Sequence, residues 1–94
     1  MLVLPKVLTI DQARDAMRLL DAAIEGDGAT AVAIDASGLE RFDTAAVAVL
    51  LECRRRAGAL GRGFELHGAP AKLSELISLY GVESLLDGTR PAAK

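Results

Sequence analysis

The amino-acid sequence predicts an α/β fold: a small, mainly parallel sheet with helices packed against it. Three observations carry that reading. Short apolar runs bounded by turn residues fall at 2–4, 30–35 and 64–67. Longer stretches between and after them place apolar residues at helical spacing. The resulting order is β-α-β-α-β-α, and strands that alternate with helices pair in parallel through right-handed crossovers. A chain of 94 residues makes one such domain, here with an ordered core expected over 2–86 and a polar tail over 87–94.

Each element has its own signals. The run at 2–4 is stopped by Pro5. Thr9 and Gln12 form a T-x-x-Q capping box that opens the first helix. Ile10, Ala13, Ala16, Met17, Leu20 and Ile24 supply its expected core stripe, with Gln12, Asp15, Arg18, Asp21 and Glu25 mostly on the other side. Gly26-Asp27-Gly28 ends it. The segment 30–35 is short, nearly all apolar and flanked by turn residues, which predicts a buried parallel strand. The second helix is expected over 44–60. Its core stripe is Ala46, Val49, Leu50, Cys53, Ala57 and Leu60, with Ala48, Glu52, Arg55 and Ala59 facing away. Gly61 and Gly63 bracket its end, and a strand follows at 64–67. Pro70 suits the first turn of the third helix, which buries Leu73, Leu76, Ile77 and Tyr80 and stops at Gly81. One more helical turn is expected over 82–86.

Composition removes several function classes. Half the chain is apolar (51%), but only three aromatics are present, so the core is aliphatic. A net charge of −2 gives no long-range attraction to nucleic acid or anionic lipid. Arg54-Arg55-Arg56 spans about 200° of helix and cannot form one basic face. Cys53 and His67 are single soft ligands, too few for a zinc site. No nucleophile–base set, phosphate loop or carboxylate pair is found. The expectation is a non-enzyme without metal or cofactor. The lone cysteine agrees with a reducing compartment, and the start has no secretory pattern. No apolar run approaches the roughly 20 residues of a membrane-spanning helix. A cytoplasmic protein is expected, with any membrane role routed through a partner.

The most suggestive stretch is Arg41-Phe42-Asp43-Thr44-Ala45-Ala46-Val47. Asp43 is placed to cap the second helix. That leaves the Thr44 hydroxyl in the first turn, where free N–H groups and the positive dipole end favour a phosphate. Ala45, Ala48 and Leu51 lie beside or opposite the core stripe and extend Thr44 into a partly apolar patch of small residues. Asp35 and Ser37 sit at the C-terminal end of the middle strand, as loop-ordering residues.

Two segments carry a family resemblance. Ile34-Asp35-Ala36-Ser37-Gly38-Leu39 followed by Phe42-Asp43-Thr44-Ala45-Ala46-Val47 resembles the STAS signature: a strand ending in Asp-x-Ser, then Asp-Ser/Thr-x-Gly-Leu opening a helix. The resemblance runs over 2–86. The segment from Leu66-His67-Gly68-Ala69-Pro70 to Leu79-Tyr80-Gly81-Val82 is most similar to MlaB-type STAS subunits. Two departures stand out. The family glycine is Ala46, and the strand that usually precedes the one at 2–4 is missing, which leaves a sheet edge to be covered by a second copy, another chain or a loop.

The resemblance implies a STAS-like fold and a non-catalytic subunit of an Mla-type phospholipid ABC transporter, which maintains outer-membrane lipid asymmetry. The partner would be the ATPase subunit, holding the chain at the periphery of the inner membrane. The contact would fall on Asp43, Thr44, Ala45, Ala48 and Leu51. The alternative is an anti-sigma-factor antagonist, whose partner is an anti-sigma factor kinase that phosphorylates Thr44. A small-ligand STAS module has no specific support in these residues.

Overall fold

The computed structural model describes residues 2–26 and 31–82. Most of the helical turn expected over 82–86, and the tail expected over 87–94, lie outside them. The elements run β1 (Leu2–Val3), β2 (Val7–Leu8), α1 (Ile10–Gly26), β3 (Ala31–Asp35), β4 (Arg41–Phe42), α2 (Thr44–Ala59), β5 (Gly63–His67) and α3 (Ala71–Leu79). Three strands form a parallel sheet in the order β1-β3-β5. A second parallel pair joins β2 to β4. The two short strands β2 and β4 are additions to the expected order. Pro5 separates β1 from β2, and the Lys6 carbonyl then accepts from the N–H groups of Glu40 and Arg41.

Register explains how the sheet uses its residues. Val32 lies beside Phe64 and Ile34 beside Leu66, so these four share one face. Val32, Ile34 and Leu66 are buried and Phe64 packs against the same core. On the other face Ala33 pairs with Glu65 and Asp35 with His67, all half-buried. The expectation of a wholly buried strand at 30–35 is therefore corrected. β3 alternates, and small alanines occupy the less covered side.

The core joins Leu8, Ile24, Val32, Ile34, Leu50, Cys53, Leu66 and Leu73, each almost fully buried. No charged or polar residue is buried among the described residues. Three expected core residues are not in it. Ile10, Leu60 and Tyr80 are 75%, 47% and 53% exposed. Each stands at an end of its helix, where the apolar spacing continues past the packed core.

The helix ends follow the glycines. Leu60 is the C-cap of α2; Arg62 N–H donates to the Ala57 carbonyl at 2.8 Å and Gly61 N–H to the Gly58 carbonyl at 3.0 Å. This is a Schellman ending, with Gly61 at φ +71°. The end of α3 repeats it through Gly81 and Val82, whose N–H groups reach Ser78 and Ile77. Val82 packs against the core, completing the apolar contact that accompanies the motif. Gly63, expected as part of the helix stop, is the first residue of β5. The last turn of α1 is held from outside: Arg62 Nη1 donates to the Ile24 carbonyl at 2.5 Å.

Candidate functional site

The Asp43 carboxylate organises the start of two helices. Its Oδ1 accepts from Ala45 N–H at 2.8 Å, which is the expected cap of α2. Its Oδ2 accepts from Ile10 N–H at 3.2 Å, the first residue of α1. Thr9 and Gln12 make half of the expected box at the same end: the Gln12 side chain reaches back to Thr9 N–H, but the Gln12 N–H donates to the Thr9 carbonyl and not to its hydroxyl. Gln12 Oε1 accepts from Thr9 N–H at 3.2 Å and also bonds the Thr9 hydroxyl. One carboxylate therefore satisfies orphan donors on both helices and sets their N-terminal ends side by side.

Between α1 and α2 lies an open, largely apolar groove of about 760 Å³. From α2 it takes Thr44, Ala45, Ala48, Val49 and Glu52. From α1 it takes Ile10, Ala13, Arg14, Met17, Arg18 and Asp21. Thr44 and Ala48 are exposed and Ala45 half-buried. Four of the five residues expected to form a contact patch, Asp43, Thr44, Ala45 and Ala48, line this groove. Leu51 does not; it is half-buried against the core. The Thr44 hydroxyl carries no hydrogen bond among the described residues.

The far end of the groove is closed by charge. Arg56 reaches Asp21 Oδ2 across the helices at 3.2 Å and Glu52 Oε2 at 3.2 Å along its own helix. Arg55 forms a two-point contact with Glu52. The hydrogen bond from Arg55 holds the Glu52 carboxyl below its usual range, with Arg56 adding to the effect. Glu52 is thus not the bare outward residue its helical position suggests, and Asp21 faces α2. The triple-arginine run is divided between ion pairs and solvent, with Arg54 exposed.

Asp35 and Ser37 form a separate unit across the sheet end. Asp35 Oδ1 accepts from Ser37 N–H at 2.9 Å. Bonds from the Ser37 hydroxyl and N–H lower the Asp35 pKa, and the nearby His67 adds to this. His67 Nε2 lies 2.9 Å from Glu65 Oε1. Gly68, at φ +67°, lets this loop sit against β5: a Cβ there would stand 2.8 Å from the Ser37 Cβ. Neither Asp35 nor Ser37 lines the α1–α2 groove. Cys53 is fully buried, and desolvation, with the charges of Glu52 and Asp21, pushes its thiol up to about 12. It is inert packing. Among the described residues no group of three metal-ligating side chains occurs.

This geometry can bind; it holds no assembled nucleophile and base among the described residues. A family model described as "Mlab, STAS domain" matches residues 1–87. The chain belongs to this STAS family. The comparison with curated proteins returned no match. A STAS domain is in general a non-enzymatic interaction domain, and the three-helix, parallel-sheet architecture agrees with its fold. No helix among the described residues is long and apolar enough to cross a membrane.

Sequence reasoning missed the α1 half of the groove. Ile10, Arg14, Met17 and Asp21 lie four, three and four residues apart, which puts them on one side of α1. That second stripe is a usable signal. It is masked in the sequence because Ile10 and Met17 also fit the core stripe, while Arg14 belongs to neither expected face.

Proposed function

We propose that this chain is the STAS subunit of an Mla-type phospholipid ABC transporter, that it docks on the ATPase subunit at the cytoplasmic side of the inner membrane, and that the α1–α2 groove around Thr44 is the contact. The observation that carries the reading is the open apolar groove with Asp43, Thr44, Ala45 and Ala48 along one wall, in a chain that matches the MlaB-type family model. Small side chains on that wall let a partner approach the α2 backbone closely. Ile10, 75% exposed on the facing wall, offers apolar area that binding would cover.

Affinity measured by calorimetry against the purified ATPase subunit tests this. Thr44→Glu brings charge and bulk to the groove mouth, while a carboxylate near a helix N-terminus leaves the fold intact. At least a tenfold loss of affinity is expected, about 1.4 kcal/mol. Ala48→Arg should do the same and Thr44→Ala less. Thermal melts run in parallel identify any variant that has lost its fold. Full binding by both Thr44→Glu and Ala48→Arg places the contact elsewhere. Co-purification of a histidine-kinase-like ATPase in place of a transporter ATPase would move the assignment to an anti-sigma-factor antagonist.

A further inference from the structure

We infer that the occupant of the α1–α2 groove is an amphipathic helix of the partner, and that it presents an acidic side chain to Arg14. The inference rests on the docking reading above and adds the chemistry of what docks.

The shape comes first. Along α1 the groove runs from Ile10 to Asp21, which at helical rise is roughly 16 Å, or about three turns. Its two walls are helix faces: residues 10, 14, 17 and 21 on one side and 45, 48, 49 and 52 on the other. A trough between two helices is filled by a third helix whose side chains seat between their ridges, at axis separations of about 8–10 Å. The alanines at 45 and 48 allow the near end of that range.

The charges supply the rest. Five charged side chains line the groove, and four are already engaged. Asp43 accepts two backbone N–H groups. Asp21, through Oδ2, and Glu52 are paired with Arg56, and Glu52 also with Arg55; the buried Asp21 Oδ1 has no hydrogen-bond partner among the described residues. Arg18 is paired with Asp15. Arg14 is exposed and has no ion pair among the described residues. The groove therefore offers an apolar floor and one uncommitted cation, one turn along from Ile10. An apolar helix carrying a carboxylate at the matching turn complements both.

The experiment is a set of titrations with the purified ATPase subunit at low and high salt. The chains compared are the unmodified one, Arg14→Ala, Arg14→Glu, Ala48→Arg and Arg54→Glu. Arg54 is exposed on α2 outside the groove, so its reversal controls for net charge. Arg14→Glu should weaken binding at least tenfold at low salt, and Arg14→Ala should flatten the salt dependence. Arg54→Glu should leave affinity within about twofold of the unmodified chain. A photo-crosslinking residue at Ile10 or Ala48 should label partner positions three or four apart, with an Asp or Glu within one turn. If Ala48→Arg abolishes binding while Arg14→Glu matches Arg54→Glu, the groove is the contact but the acidic-helix inference is overturned. Crosslinks spaced two apart would overturn it as well, since they mark an extended segment. No binding by the unmodified chain defeats the ATPase reading itself, and the inference with it.

Discussion

Removing the Asp43 carboxylate tests the central structural observation, that one side chain caps one helix and binds the start of another. In Asp43→Ala, α2 loses its N-cap bond to Ala45 N–H, made at 2.8 Å in a half-buried setting. Loss of such a cap costs about 1 kcal/mol, within a range of roughly 0.5–2. The second bond, to Ile10 N–H at 3.2 Å, is exposed, so water replaces it and its net worth is near the low end for hydrogen bonds, about 0.5 kcal/mol. The expected total is about 1.5 kcal/mol. For a domain of this size that lowers Tm by about 6–12 °C. Asp43→Asn separates the two roles. Asn caps nearly as well as Asp, so α2 keeps its bond, while the amide group turned to Ile10 is a donor facing a donor. Its loss should be below about 1 kcal/mol. Urea melts give the stabilities, and amide hydrogen exchange reports the two sites separately. Ala45 and Ile10 should both lose protection in Asp43→Ala, but only Ile10 in Asp43→Asn. Asp11, an exposed acid in the first turn of α1, is the comparison. If Asp43→Ala costs no more than Asp11→Ala, or if Ile10 exchange is unchanged in both Asp43 variants, the shared cap is wrong.

Other outcomes follow from the same geometry. Leu50 is fully buried, so Leu50→Ala should cost about 2–5 kcal/mol in a denaturant melt; a loss under about 1 would show that α2 is turned differently. Gly68→Ala should destabilise by about 1 kcal/mol or more, because it combines a left-handed backbone with a clash on Ser37, whereas Gly58→Ala meets nothing within 4 Å and should be neutral or better. Asp35 and Glu52 both have carboxyl pKa values lowered in the folded chain, from ordinary values of 3.8 and 4.5. Their contribution is present above those values and is lost as pH falls through the lower folded ones. Asp35→Asn should flatten the fall of stability below about pH 3.8 and Glu52→Gln below about pH 4.5, and unchanged acid limbs would refute the pairing with Ser37 and with Arg55.

The three helices and the strands β1, β3 and β5 were legible because each carries a period or a bounded apolar run. The strands β2 and β4 were not: two residues cannot show a period, and their pairing depends on the turn at Pro5 and Lys6 bringing Val7 beside Arg41. The stripe rule also overreached at helix ends. Ile10, Leu60 and Tyr80 continue the apolar spacing of their helices, but spacing carries no information about where the packed core stops. In the site, Asp43 was readable as a cap because capping is local. Its bond to Ile10 spans 33 residues in sequence and only the assembled fold supplies it. Leu51 failed for another reason: it lies one turn along α2 from the buried Val47, on a side of the helix that packs against the core and away from the groove.

One of these failures bears on the site itself. Ile10, exposed at the start of α1, lines the groove that α1 makes with α2. The Asp-Thr pair then acquires a joint meaning. Asp43 bonds the first turns of both α1 and α2, and Thr44, the next residue, lines the groove between them. On the proposed docking, substitution at Thr44 would change what the partner meets, whereas substitution at Asp43 would change the groove it enters. The two positions should therefore differ in kind. Thr44→Ala should change affinity with little change in stability, and Asp43→Ala should lower both together. Melts and partner titrations on the same two proteins separate these cases. A loss of affinity without loss of stability in Asp43→Ala would assign the carboxylate a direct contact with the partner in place of its positioning role between the helices.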